Sequence, residues 1–307
     1  MPTSRDRSGP ISSRPLARAS SIVVAVAATF GATSSARGQQ ESAAAGVAPP
    51  DPEPPKLSAQ PSEIVVAGEG ERSPAWTQSR TFAATRFWRL DRGQQEFELW
   101  YSVRARKDGV DGDTRHLWQV EYMVSLIRGV QLDVYANYQY DKQNGPHLEG
   151  AQIETRIAPW NYGDLFGNPV LYLEWHPQTR DANRGEARLL FGGNLGVPRL
   201  RGALNLLVEQ NLDSPTGRRA DFLADREIGG TAAAAYEVVE RALSLGGETR
   251  LIWDQQGTTE YQRTMKVGPA LWLSALDAHV HLTASMLFGL NDKTDRFNPV
   301  VILGYRP

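Results

Sequence analysis

The sequence contains no cysteine, so disulfide bonds and thiolate-bound zinc cannot contribute to its stability. It also has no apolar run long enough for a transmembrane helix, because Ile22 to Phe30 is far shorter than the ~20 residues required. Positive charge is not in excess, and a net charge of -2 gives no electrostatic basis for binding nucleic acid. No nucleotide, haem or flavin motif is present, so the sequence predicts no cofactor and no nucleic-acid partner.

The first forty residues show the three parts of a secretory signal. Basic residues come first, at Arg5, Arg7, Arg14 and Arg18. The apolar run from Ile22 to Phe30 follows, and small residues then surround Ala36 and Gly38. Because this run is too short to anchor the chain in a bilayer, we predict that residues 1–38 are a signal peptide cleaved near Gly38.

Residues 39–80 have the composition of a flexible linker, with much Ala, Ser and Glu and five prolines between positions 49 and 55. Such a segment buries too little apolar surface to order itself, which predicts a disordered periplasmic tether. Residues 81–93 form a short pre-barrel segment. Within the tether, the β-prone hexamer Glu63 to Gly68 resembles the segment by which TonB-dependent receptors are engaged from the periplasm. Those receptors also need a plug domain and a much larger barrel, so a sticky patch on the tether is the alternative.

Two strands of strict alternation, joined by the turn Arg128-Gly129, occupy residues 117–140. The apolar face of the first strand carries Trp118, Val120, Tyr122, Val124 and Leu126, and its polar face carries Gln119, Glu121 and Ser125. The second strand alternates in the same way. Since successive side chains of a strand point to opposite faces, this pair forms an apolar wall backed by a polar and charged one.

About twelve such segments lie between Gln94 and Tyr305, each with its connection spanning roughly eighteen residues, whereas soluble sandwiches have turn signals every ~8–12 residues. Short and longer connections alternate, as in outer-membrane barrels with both termini in the periplasm. The long connection Pro159 to Asn168 breaks this alternation, and we expect it to pack against the periplasmic rim. The predicted fold is all-β: a transmembrane antiparallel up-and-down β-barrel of about 12 strands over residues 94–307.

The region from Gln94 to Pro307 resembles a small bacterial outer-membrane β-barrel of a porin-like type. The resemblance implies location in the outer membrane of a Gram-negative-type bacterium, contact with its lipid, and insertion by the barrel-assembly machinery. Such proteins commonly end on an aromatic residue that this machinery reads. Here Tyr305 is followed by Arg306 and Pro307, which departs from that terminal signal.

The predicted inner face repeats an acid-x-base doublet, Glu154-x-Arg156, Glu186-x-Arg188 and Glu248-x-Arg250. Residues two apart share a face, so acids and bases of neighbouring strands can interleave inside the barrel. The candidate lumen residues are Glu121, Asp133, Glu154, Arg156, Glu174, Glu186, Arg188, Glu209, Glu248, Arg250, Lys266, His279 and His281. They predict either a closed, salt-bridged structural barrel or a narrow passive channel in which they set selectivity for small solutes. Twelve strands lie between the eight that side chains fill and the sixteen that leave an aqueous channel, so size does not decide.

Two further hypotheses remain open. An outer-membrane lipid hydrolase could use His281 with Ser125 or Ser285 as nucleophile, but both serines have inward parity, whereas a lipid-cleaving site opens towards the membrane. We therefore predict no enzymatic activity, and also no metal site, because no third ligand is fixed by spacing near His279 and His281. A soluble, lipocalin-like periplasmic binding protein would instead place Trp118, Val120 and Tyr122 in a core.

Overall fold

A computed structural model provides the structure of the chain. It describes residues 73–77, 79–87, 89–105, 114–142, 144–178, 182–212, 225–256, 260–275 and 279–307. The predicted signal peptide and the hexamer Glu63 to Gly68 lie outside the described residues. No helix among the described residues is long and apolar enough to cross a bilayer.

Twelve strands follow a single-turn 3-10 helix, Ala75–Thr77. They are β1 (Gln95–Arg104), β2 (Arg115–Ile127), β3 (Val130–Asp141), β4 (Gly145–Ile157), β5 (Val170–His176), β6 (Arg184–Asn194), β7 (Leu200–Asn211), β8 (Asp225–Val239), β9 (Leu243–Gln256), β10 (Glu260–Ala275), β11 (Val280–Gly289) and β12 (Phe297–Tyr305).

Each strand pairs antiparallel with its neighbours in the chain, and β1 pairs with β12 to close the sheet. The closing register joins Phe97 to Tyr305 and Leu99 to Leu303. Closure satisfies the main-chain groups of both outer strands, which an open sheet would leave unpaired. The predicted up-and-down barrel of about 12 strands is confirmed. We call the end where β1 begins and β12 ends the terminal end, and the other the opposite end.

The two faces of the strands have the predicted parity. On β1, Leu99 is 52% exposed while its neighbour Glu98 is 2% exposed. On β2, Val120 is 52% exposed and Glu121 is completely buried. The soluble alternative required Val120 and Trp118 in a core, and it is wrong because both lie on the exposed outer face. An apolar exterior around a charged interior is the arrangement that a lipid environment stabilises.

Among the connections between strands that the structure describes completely, both the shortest and the longest lie at the terminal end. Arg128-Gly129 joins β2 to β3 as predicted, and Gly129 has a φ of 79°. The connection from Ala158 to Pro169 contains Trp160 and Tyr162, which pack against buried residues of the neighbouring strands. Burial raises the pKa of Tyr162, although nearby Arg201 opposes the shift.

The described residues between Ser73 and Gln94 enter the barrel, and we call them the inner segment. This corrects the prediction that the tether continues to residue 80 and that residues 81–93 only precede the barrel. Phe82 is 2% exposed and Arg86 is 9% exposed, because both are surrounded by strands of the barrel. The order of this segment comes from contacts distant in sequence, such as that of Ala83 with Glu248, which local composition does not reveal.

Candidate functional site

The inner segment is a loop whose two ends lie together. The carboxylate of Asp91 accepts hydrogen bonds from the amide of Ser73 at 3.0 Å and from its hydroxyl at 2.8 Å. Nearby, the rings of Trp76 and Phe87 stack with centroids 5.0 Å apart. A side chain on Gly192 would lie 1.9 Å from Phe87, so this glycine is required for the aromatic pair to approach the wall.

Arg80 joins the inner segment to the first two strands. Its Nε donates to Glu98 at 2.8 Å, and its Nη2 donates to Glu121 at 3.2 Å. Its guanidinium carbon also lies 4.3 Å from the centre of the Trp100 ring. The main-chain carbonyl of Arg80 accepts the hydroxyl of Thr283 on β11, so contacts on both sides fix this residue.

Arg86 extends the same network to β3 and β4. Its guanidinium lies 3.7 Å from Glu121 and 3.6 Å from Glu154, and it donates to the Tyr135 hydroxyl at 3.0 Å. Tyr135 in turn donates to Glu154. Removing either partner of a buried ion pair is strongly destabilising because the remaining charge is uncompensated. The two arginines are therefore integral to the charge balance of this half of the lumen.

The main chain of the inner segment binds an acidic side chain from the far wall. The amides of Ala83, Ala84 and Thr85 donate to the carboxylate of Glu248 at 2.8, 2.7 and 2.9 Å. Successive amides that converge on an anion form a favourable concave site. Glu248 therefore stabilises the innermost turn of the segment.

Phe82 supplies the apolar contact between the segment and the wall. It packs into a pocket whose buried members are Ala203, Ala233, Ala235 and Ala270. Small side chains on β7, β8 and β10 leave the space that the ring fills. The alanine-rich β8 therefore accommodates a bulky residue of the inner segment.

Carboxylates from seven consecutive strands form one row in register, which we call the acidic row. Its members are Asp133, Glu154, Glu174, Glu186, Glu209, Glu227 and Asp254. Neighbouring strands lie ~4.8 Å apart, so these charges would repel one another without nearby cations.

Basic side chains beside the acidic row supply those cations. Arg156 contacts Asp133 at 3.3 Å and Glu154 at 2.6 Å, and Arg188 pairs with Glu186. Further along the row, Arg184 lies 3.0 Å from Glu209. Arg250 lies 3.4 Å from Glu227. Two predicted doublets thus pair within themselves. The third does not, because Glu248 binds the inner segment and Arg250 binds Glu227.

The other predicted lumen residues have separate partners. Glu174 accepts the hydroxyl of Tyr172 and lies 3.4 Å from His176. Lys266 contacts Asp295 at 2.6 Å, in the connection between β11 and β12.

The two predicted histidines occupy different environments. His281 is buried, 3.3 Å from Glu96 and 3.5 Å from Glu98, and Arg306 also reaches Glu96 at 2.6 Å. His279 is exposed before β11, where it hydrogen-bonds the Arg306 carbonyl, so the two do not form a common site.

The serine candidates are not arranged as a hydrolase requires. The hydroxyl of Ser125 donates to the main-chain carbonyl of Val130 at 3.0 Å, and Ser285 is buried on β11. Among the described residues, no hydrogen bond joins His281 to Ser125 or Ser285.

A polar cavity of about 270 Å³ occupies the lumen towards the opposite end. Its lining includes Trp100, Gln119, His176, Arg184 and Glu209. The inner segment occupies the lumen towards the terminal end, and a cavity of about 40 Å³ lies between it and the wall. The lumen is therefore wide enough for solute at one end and filled at the other.

Four further residues of the lumen were not predicted from the sequence: Arg80, Arg86, Trp100 and Tyr135. Trp100 and Tyr135 share the inward parity of Glu98 and Asp133, so the alternation contained a signal for them. No local sequence pattern identifies Arg80 or Arg86 as buried, because each lies in a polar segment whose composition is that of a flexible linker.

These features define a porin-like β-barrel with a charged lumen and an internal segment. No protein-family model matches the chain, and no curated protein matches it in sequence. The structure is similar to that of an outer membrane channel from Pseudomonas putida F1, with a TM-score of 0.51, 11% identity, and coverage of 77% of this chain and 100% of that one. At this identity the likeness concerns the fold alone.

A variant of the Rh. blastica porin aligns with 70% of this chain and 99% of its own at 10% identity. Its TM-score of 0.23 is too low to relate the two folds in detail.

Proposed function

We propose that the chain is an outer-membrane channel for small hydrophilic solutes, held closed in this conformation by its inner segment. The observation that carries the proposal is a 270 Å³ polar cavity inside a barrel with an apolar exterior, whose lining residue Trp100 contacts Arg80 and Arg86 of the inner segment. A barrel stabilised only by salt bridges would not need such a cavity. Transport instead requires a polar path of this kind, with a means of clearing its filled end.

The candidate residues take a defined role in this proposal. The acidic row and the bases beside it line the path, and they set its selectivity once the inner segment moves. The predicted signal peptide supplies export, and the apolar outer face supplies the contact with lipid. Insertion by the barrel-assembly machinery is part of the same proposal, and a channel of this type needs no catalytic residue.

Conductance in planar bilayers tests the proposal. The unsubstituted chain is expected to show rare openings, whereas Arg80→Gln with Arg86→Gln is expected to conduct at least tenfold more often, because the segment loses its charged contacts. Arg128→Gln with Arg199→Gln is the matched control, since these two arginines are exposed outside the lumen. Absence of current from both double variants, in protein shown to be folded by its heat-modifiable mobility, would favour a purely structural barrel.

A further inference from the structure

The inner wall of the barrel contains a pocket suited to an organic cation. It consists of Glu98, Trp100, Glu121, Tyr135 and Glu154, and we call it the guanidinium pocket. In this conformation the guanidinium groups of Arg80 and Arg86 fill it. The chain's own arginines thus show which chemical group the pocket accepts.

The side chains of the pocket all belong to strands β1 to β4. Trp100 donates its indole Nε1–H to Glu98 at 2.9 Å and to Glu121 at 3.0 Å, which orients both carboxylates. Its ring faces Arg80 and Arg86, with guanidinium carbons 4.3 and 5.2 Å from its centre. Oriented carboxylates beside an aromatic face are the elements that recognise guanidinium.

The present occupants do not satisfy the pocket fully. The buried Nη1 of Arg80 has no hydrogen-bond acceptor among the residues that the structure describes. The distances from Arg86 to Glu121 and Glu154, 3.7 and 3.6 Å, exceed those of direct hydrogen bonds. A solute that is free to orient itself can therefore make better contacts than arginines held by the loop.

The pocket is also within reach of the open part of the lumen. Trp100 belongs both to the guanidinium pocket and to the lining of the 270 Å³ cavity. A solute entering that cavity meets the Trp100 ring before it meets the inner segment. The approach is lined by Gln119 and Gln152, which are joined by a hydrogen bond of 2.9 Å.

We infer that the guanidinium pocket binds small solutes bearing a guanidinium group, which compete with Arg80 and Arg86 and thereby release the inner segment. The inference rests on the proposed function, because it names the solute class and the trigger of the same lumen. Binding replaces one set of charge-assisted hydrogen bonds with another, so it exchanges the occupants without leaving the glutamates unpaired.

The first test follows release of the segment in the full chain. Since the protein has no cysteine, Ser79→Cys introduces a unique thiol beside Arg80. Millimolar L-arginine amide is expected to raise its rate of maleimide labelling at least fivefold, while L-citrulline amide, in which a neutral ureido group replaces guanidinium, leaves the rate unchanged. Asn194→Cys, at an exposed position, controls for effects on the reagent. Equal responses to the two amides, or no response to either, would overturn the inference.

The second test measures binding by calorimetry in detergent. With Arg80→Gln and Arg86→Gln in the full chain, L-arginine amide is expected to bind about tenfold more tightly than to the unsubstituted chain, because its competitors are gone. Adding Glu98→Gln should weaken binding about tenfold. Adding Glu149→Gln, which removes a charge from the cavity lining outside the pocket, should change it by less than about twofold. Binding unaffected by Glu98→Gln would contradict the assignment, provided that heat-modifiable mobility shows the variants to be folded.

The two proposals fail in different ways. If L-arginine amide binds and exposes the thiol but no variant conducts, the channel function is wrong and the pocket stands. If the Arg80 and Arg86 double variant conducts but shows no preference for arginine amide over citrulline amide, the channel stands and the solute class is wrong.

Discussion

Glu248 holds the inner segment by accepting hydrogen bonds from three consecutive amides. Glu248→Gln keeps the shape of the side chain but replaces one acceptor oxygen by a donor group and removes the charge. Hydrogen bonds to charged groups contribute about 1.5–3 kcal/mol, so we expect labelling of Ser79→Cys to rise about tenfold or more. Glu240→Gln, at an exposed position, is the control. Unchanged labelling would show that Glu248 does not hold the segment.

Phe82 anchors the same segment by apolar contact. Phe82→Ala leaves its alanine pocket empty, and removing a buried phenylalanine typically costs about 3–5 kcal/mol. We therefore expect faster thiol labelling and more frequent channel opening, with the barrel itself intact. Phe166→Ala should have no effect, because Phe166 is fully exposed. If Phe82→Ala is labelled no faster and opens no more often than the unsubstituted chain, the polar contacts alone are sufficient to hold the inner segment.

Single residues were predictable where they obey a strand pattern. Glu121, Asp133 and Glu154 have inward parity in the sequence and are buried in the lumen. Their partners Arg80 and Arg86 were not predictable, because the pairing depends on a segment folding back across the barrel. The alternation of a strand predicts which face of the barrel a side chain lies on. It does not predict which other segment of the chain enters the lumen and contacts that side chain.

The turn between β2 and β3 depends on a glycine. Gly129 has a positive φ, and an added Cβ would lie 2.7 Å from the Cα of Pro159 and 2.8 Å from the carbonyl oxygen of Ala158. Gly145 also has a positive φ, but nothing lies within 4 Å of its Cβ position. We expect Gly129→Ala to destabilise the barrel clearly more than Gly145→Ala, measured as the midpoint of urea unfolding in detergent. If the two variants unfold at the same urea concentration, the connection that contains Ala158 and Pro159 moves aside without a measurable loss of stability.

The outer face of β1 provides a test of the lipid-facing assignment. Leu99→Arg places a charge near the middle of a strand that faces outwards, where a charged side chain costs about 2–4 kcal/mol at the bilayer midplane. We expect a lower yield of folded protein in lipid vesicles. Leu165→Arg, in the connection between β4 and β5, should fold like the unsubstituted chain. Equal yields would place Leu99 away from lipid.

Elements were predictable because each strand carries its own alternation and each connection its own turn residues. The turn Arg128-Gly129 lies where the sequence placed it. The inner segment is the exception, since only the single helical turn Ala75–Thr77 gives its described residues regular structure. Its conformation is imposed by Glu248, Asp91 and the alanine pocket, so it has no periodicity to detect.

For the whole molecule, the carboxylates of the strands and the arginines of the inner segment form one charge system. The barrel places Glu98, Glu121 and Glu154 inside, where leaving them unpaired would be costly. The segment supplies two of the missing cations and at the same time fills the lumen. The same two arginines therefore neutralise the glutamates and hold the segment in the lumen. We expect the channel to open when another cation replaces these arginines at the glutamates.

Closure of the sheet between its first and last strands can be tested covalently, because the chain has no cysteine of its own. Leu99 and Leu303 lie opposite each other in the β1 and β12 pairing, on the outer face. Cβ atoms of such pairs are ~4.5–5.5 Å apart, close to the separation of a disulfide, so we expect Leu99→Cys with Leu303→Cys to oxidise within one chain.

The cross-link should change the mobility of the heat-denatured chain on a gel, and a reductant should reverse the change. Leu99→Cys with Leu206→Cys, which places the second thiol on β7, six strands away around the sheet, is expected to give no intramolecular product. If the first pair also fails to cross-link in folded, heat-modifiable protein, β1 and β12 are not paired. The inner segment could then leave through an open seam, and closure of the lumen by that segment would no longer follow from the fold.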